Sequence, residues 1–226
     1  MVFASNRGTS YDLYLTTRAT PTSTFGAPQL LALSTTNGEG DPQWSADGSQ
    51  LYYTWFDSMT MTGGVFVADY LGGTAFGTPQ TPSFATPGFA YAFTPGDVEM
   101  FYTDSPAQSQ YGLHRATRPT PASDWVADAT IDFVDPTGTV AGWGTWDDGE
   151  QTLYFERTVG ALPSEIATIT RSGPGTTFGA ASPVTTIGAS NGDPEVSRDG
   201  RTLVFASDRP GGQGLSDLYV ATRSCM

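Results

Sequence analysis

The chain has no lysine, one cysteine and one histidine among 226 residues. All ten basic residues are arginines, set against 23 acidic ones, for a net charge of −13. So acidic a chain repels phosphate backbones and anionic head groups, which excludes nucleic acid and membrane surfaces as partners and leaves cations and neutral ligands open. Cys225 by itself closes no intrachain disulfide, and no Cys-x-x-Cys or Cys/His cluster exists for zinc. No apolar run reaches the roughly 18 residues of a membrane helix, so no membrane insertion is expected. The opening Met-Val-Phe-Ala-Ser reads as a strand rather than a signal peptide, so the chain reads as an excised or processed piece. His114 is the sole imidazole and no Gly-x-Ser-x-Gly elbow accompanies it, which leaves a Ser-His-Asp triad without a basis.

What is present is repetition. Seven-residue segments starting at 12, 64, 112, 165 and 217 read DLYLTTR, GVFVADY, GLHRATR, EIATITR and DLYVATR. Each alternates apolar and polar positions, the period of a strand with one buried face. A second series runs upstream: VFAS at 2, YYTW at 52, FYTD at 101, YFER at 154 and VFAS at 204. Before these stand DPQWSADGSQL from Asp41 and DPEVSRDGRTL from Asp193, with degenerate forms from Ala90 and Gly142. A fourth series follows, TFGAPQLL from Thr24, AFGTPQTP from Ala75, SDWVADAT from Ser123 and TFGAASPV from Thr177. Asp-Gly at 47–48 and 199–200 is expected to make the tight hairpin turn within the unit.

A unit of about 50 residues holding four short strands, repeated along the chain, is the signature of propeller blades. The expected fold is therefore all-β: one β-propeller domain over 1–226, of five blades near 1–36, 37–85, 86–136, 137–189 and 190–226. The first blade lacks its first strand and the last its fourth. Closure would then need more chain or a strand-sharing homo-oligomer, since unpaired edges invite pairing.

The segment DPEVSRDGRTLVFASDRPGGQGLSDLYVATR (193–223), with VFASNRGTSYDLYLTTR (2–18) and the stretch from Asp41, resembles the TolB-like propeller repeat family. The middle blades are degenerate and lack both Asp-Pro and the Ser-Asp-Arg loop. The resemblance implies a secreted or envelope protein of bacteria, periplasmic or extracellular, acting as a binding scaffold for a glycan, peptide or protein. Fold likeness carries function by analogy alone.

Among the repeated residues, Arg7 and Arg209 lie five and eight positions before Asp12 and Asp217, and a structural arginine–carboxylate fork is expected there. His114 takes a strand position otherwise filled by Tyr14, Phe66, Ala167 and Tyr219, and so reads as a packed side chain. Asp41 and Asp193 introduce the first strand of their blades and are the candidate metal ligands, with Glu39 close by; calcium is the hard cation such oxygens suit. Turn capping by aspartate before proline is the alternative. The candidate ligand-binding residues are Trp55, Trp143 and Trp146, whose indoles suit sugar stacking or peptide capture. Trp55 stands where the other copies have Ser5, Asp104, Arg157 and Ser207, and is expected at the blade rim.

The expected function is thus a non-catalytic binding module. The alternative is a glycoside hydrolase of the five-bladed arabinanase type, with an acid and base drawn from Asp41, Asp193, Glu195 and Glu156.

Overall fold

The computed structural model describes residues 1–8, 10–20, 23–45, 47–60, 62–82, 88–94, 96, 98–104, 112–121, 123–135, 139–147, 149, 151–185, 188–197 and 199–223. The side chains of 62, 88–91, 103–104, 129–132 and 139–143 fall outside this description. Every regular element among the described residues is a strand, and the strands form five small antiparallel sheets, the blades of a five-bladed β-propeller.

The chain divides into two compact units, Met1–Ala85 and Thr86–Met226. The first unit holds blade 1, made of β1 (Val2–Ser5), β2 (Asp12–Leu15) and β3 (Gln29–Leu30). It also holds blade 2, made of β4 (Gly38–Trp44), β5 (Gln50–Asp57), β6 (Thr62–Gly72) and β7 (Ala75–Phe76). The second unit holds blade 3, with β8 (Gly88–Phe93), β9 (Glu99–Asp104), β10 (Leu113–Thr117) and β11 (Val126–Phe133). Blade 4 comprises β12 (Thr139–Trp146), β13 (Thr152–Thr158), β14 (Glu165–Thr170) and β15 (Ser182–Pro183). Blade 5 comprises β16 (Asn191–Val196), β17 (Thr202–Ser207) and β18 (Asp217–Thr222). Among the described residues the first and last blades are three-stranded.

Within each unit the alternating pattern buries sheet faces against one another. In the first unit Leu13, Leu15, Leu31, Leu33, Leu51 and Tyr53 form one core. In the second, Phe101, Leu113, Phe133, Trp146, Leu153 and Phe155 join blades 3 and 4, while Ile166, Val196, Leu203 and Phe205 join blades 4 and 5.

Arginines stacked on aromatic rings follow β2, β10 and β14. The Arg18 guanidinium lies 4.8 Å from the Phe25 ring, Arg118 lies 4.2 Å from Trp125, and Arg171 lies 4.4 Å from Trp146. Arg171 also donates to Glu99 at 2.6 Å with both side chains buried. In blade 2 Tyr70 takes this role, packing on Phe76 at 5.3 Å and on Trp44 at 5.1 Å.

The Asp-Gly hairpins are longer than a two-residue turn. Ser45 and Gln50 close the blade 2 hairpin by exchanging hydrogen bonds, and Gly48 takes the left-handed conformation at φ 70°. The Asp47 carboxylate accepts the Ser49 N–H and both the Ser45 and Ser49 hydroxyls, which holds its pKa down to about 2. Asp199 repeats the arrangement with Ser197 and Arg201, with a lowered pKa for the same reason.

Candidate functional site

The two Gly-Asp-Pro segments do not precede the first strand of their blades, as the sequence suggests; they lie inside it. Asp41 and Asp193 have φ of 49° and 50°, the only left-handed non-glycine residues among those described. The β4–β5 register shifts between Gly40 and Gln43, and the β16–β17 register between Gly192 and Glu195. Proline offers the ladder no N–H, and aspartate tolerates the left-handed region better than most residues, so each segment makes a bulge rather than a turn cap.

Asp41 Oδ2 accepts the Thr54 hydroxyl at 2.6 Å. Asp193 is open to solvent but closely hemmed in by protein, and the loss of hydration raises its carboxyl pKa. No group of three or more His, Cys, Asp or Glu side chains gathers as a metal site among the described residues. Calcium at Asp41 and Asp193 therefore gains no support from neighbouring ligands. Glu195 is exposed on β16, and Glu156 is half-buried on β13, where its carboxyl fills the space beside the backbone of Gly192.

The three tryptophans part company. Trp146 is 5% exposed and sits in the core of the second unit, with Phe101 at 5.2 Å on one side and the Arg171 guanidinium over its face. A ligand has no face of this indole to stack on, so Trp146 is corrected to a core residue. Trp143 lies in β12, and its side chain is outside the described residues. Trp55 is half-buried rather than free at a rim, stacked on Phe66 at 5.8 Å with ring planes 17° apart. Its cross-strand partner is Gly64, beside which a β-carbon would come within 3.1 Å of the indole Nε1. The bare backbone opposite is what lets the indole fold onto β6.

Around Trp55 the first unit forms a recess of about 140 Å³, lined by Thr35, Asn37, Glu39, Tyr53, Trp55 and Phe66. Glu39 belongs to the wall of this recess and is 1% exposed. It accepts the Thr35 N–H at 3.1 Å and the Thr35 hydroxyl at 2.5 Å. Burial raises its pKa, and the neighbouring Asp12 charge adds to the effect. Burial, with the Glu39 charge, also pushes the Tyr53 hydroxyl up to about 12.

The same positions in blade 5 are occupied differently. There Asn191, Phe205, Ser207 and Tyr219 stand for Glu39, Tyr53, Trp55 and Phe66, as the paired registers Asn191–Ser207 and Glu39–Trp55 show. They hold the Arg209 guanidinium, which lies 4.9 Å from the Phe205 ring and 4.6 Å from Tyr219. It donates to Asn191 Oδ1 at 2.8 Å and to Ser207 Oγ at 3.0 Å. Blade 1 repeats this with Arg7 over Phe3 and Tyr14 and its Nε on Ser5. These arginines thus rest on aromatic faces and hydroxyls; the expected fork to Asp12 and Asp217 does not form. Asp217 accepts the Gln213 and Gly214 N–H groups instead.

In blade 2 the residue two positions beyond Trp55 is Asp57, where blades 1 and 5 have arginine. Asp57 turns back on its own loop and accepts from Met59 and Thr60. Sequence reasoning singles out Trp55 but misses this exchange. The signal was available: Trp for Ser and Asp for Arg, two residues apart, in the copy that also carries Glu39. His114, at the blade 3 position equivalent to Phe66, stacks on Tyr102 at 5.4 Å.

No protein-family model matches the chain, and no curated protein matches it by sequence. Among solved structures it is similar to TolB from Acinetobacter baumannii, at 16% identity and a TM-score of 0.55, over 98% of this chain and 49% of that one. A protein described as a TolB from Agrobacterium tumefaciens gives the same identity and TM-score over 87% and 62% of the two chains. An endo-arabinase from Bacteroides thetaiotaomicron is similar at 11% identity with a TM-score of 0.64, over 100% of this chain and 89% of that one. The chain thus spans about half the length of the first of these TolB structures. At such identities the likenesses show the β-propeller fold alone.

Proposed function

We propose that the protein is a binding propeller, a module of a secreted or envelope protein, that captures a peptide segment of a partner at the Trp55 recess. The observation that carries this is the recess itself. One blade of a repeated fold has exchanged a self-satisfied arginine joint for a recess with an indole, an aromatic floor and an acid buried in its wall. Side chains repeated from blade to blade serve the fold; Trp55, Glu39 and Asp57 depart from the repeat together.

A binding survey with peptide and neutral oligosaccharide libraries tests the reading, following the Trp55 indole N–H by NMR and analysing the same samples for products. The expected result is peptide binding that moves the Trp55 signal, releases no product, and is lost in Trp55→Ser. Turnover of any substrate, oligosaccharide binding alone, or peptide binding unaffected by Trp55→Ser overturns it.

A further inference from the structure

We infer that the recess of blade 2 is a receptor for an arginine side chain, the guanidinium of the peptide entering the place that Arg209 fills in blade 5. This deepens the binding function proposed above and rests on it. Four lining residues, Glu39, Tyr53, Trp55 and Phe66, are the positional equivalents of the four that hold Arg209. In blade 5 the guanidinium lies across the neighbouring Phe205 and Tyr219 rings and is held by Asn191 Oδ1. Blade 2 keeps both rings as Tyr53 and Phe66, with the half-buried Trp55 indole stacked on Phe66 as the π-face, the type that attracts cations most strongly. It also replaces the neutral amide by a carboxylate, which binds guanidinium through stronger, charge-assisted hydrogen bonds.

The chain's own arginine is absent from this blade's loop, where Asp57 stands and is occupied with Met59 and Thr60. The acidic groups facing the recess and its surroundings are Glu39, with Asp12 as the neighbouring charge. Nothing cationic is among the residues lining the recess. A planar guanidinium suits two stacked rings and a carboxylate better than a lysine ammonium, which is more strongly hydrated. The net charge of −13 favours approach of a basic segment.

The test uses the full chain and three capped tripeptides, Gly-Arg-Gly, Gly-Lys-Gly and Gly-citrulline-Gly. Calorimetry supplies affinity and the Trp55 indole N–H supplies location. Citrulline keeps the shape of arginine and removes the charge. The arginine peptide is expected to shift the Trp55 signal and to bind about tenfold or more tightly than the citrulline peptide. Glu39→Gln, folded by its NMR spectrum, is expected to erase most of that difference. As a second variant, Trp55→Ser with Asp57→Arg restores the blade 5 pattern and is expected to block arginine binding by filling the recess from within. Equal affinity for arginine and citrulline, stronger binding of lysine, or unchanged discrimination in Glu39→Gln overturns the arginine assignment. A peptide that moves Trp55 without needing arginine would leave the binding function standing while this inference fails.

Discussion

Blades 2 and 5 begin from nearly the same sequence, Gly-Asp-Pro then Asp-Gly then a short strand, and end with opposite chemistry at one corner. In blade 5 a guanidinium, two rings, an amide and a hydroxyl satisfy one another. In blade 2 the guanidinium is gone, the amide has become Glu39 and the hydroxyl Trp55, and a recess stands open. The backbone frame is common: both blades carry the left-handed aspartate and the bulge. A repeat fold can therefore make a binding site by side-chain exchange alone, because neighbouring copies already carry the stability.

The largest effect expected concerns the position that ends the seven-residue repeat segment, an arginine in blade 4 and a tyrosine in blade 2. Arg171→Ala takes from the buried Glu99 its closer partner and leaves it the longer contact to Arg115 at 3.5 Å, and denaturant unfolding should show a loss of about 3 kcal/mol. Tyr70→Ala in blade 2 removes only ring contacts and should cost about 1 kcal/mol beyond its lost burial. Equal costs would mean that the aromatic contact is no weaker than the ionic one.

Next is the arginine joint. Arg209→Ala removes a cation–π contact and strands Asn191 Oδ1, and should cost about 2 kcal/mol. Rebuilding that joint in blade 2 with Trp55→Ser and Asp57→Arg should add about 1–2 kcal/mol, since the new guanidinium meets a carboxylate. A destabilised double variant would show that the two corners are less alike than their registers indicate.

Acid titration separates the two corners further. Because Glu39 has a raised pKa in the folded protein, the folded state holds its proton more tightly than the unfolded chain does. Stability should fall as pH rises from the ordinary glutamate value of about 4.3 through the folded value, and Glu39→Gln should remove that slope. Asn191 has no proton to lose, so Asn191→Gln should leave the slope unchanged. The smallest effect belongs to the hairpins. Asp47 contributes stability that is complete above the ordinary aspartate value of about 3.9 and lost as pH falls through about 2, and Asp47→Asn should flatten that region alone.

The blades were legible in the sequence because each is a local unit whose period, polarity alternation and turn residues recur along the chain. The position of Gly-Asp-Pro was misread because aspartate before proline has the same appearance at a turn and at a bulge; strand register decides between them, and register depends on the partner strand. Trp55 and Trp146 look alike in sequence, each an indole at a strand end. Trp146 is covered by Phe101, Phe178 and Arg171, which come from three separate strands or loops, and no local pattern announces that packing. The arginine joints were misassigned for a related reason: spacing placed Arg209 near Asp217, while the aromatic rings that hold it face it from β17 and β18.

The glycine pair in β6 sets a dimension that no lining residue controls. Gly63 and Gly64 face Phe56 and Trp55 across the ladder, and a single methyl group at 64 would press within 3.1 Å of the indole nitrogen. The width of the recess is thus gauged from the strand behind the tryptophan. A change there would tilt the indole and alter which side chains can enter, while every group that touches the ligand kept its identity.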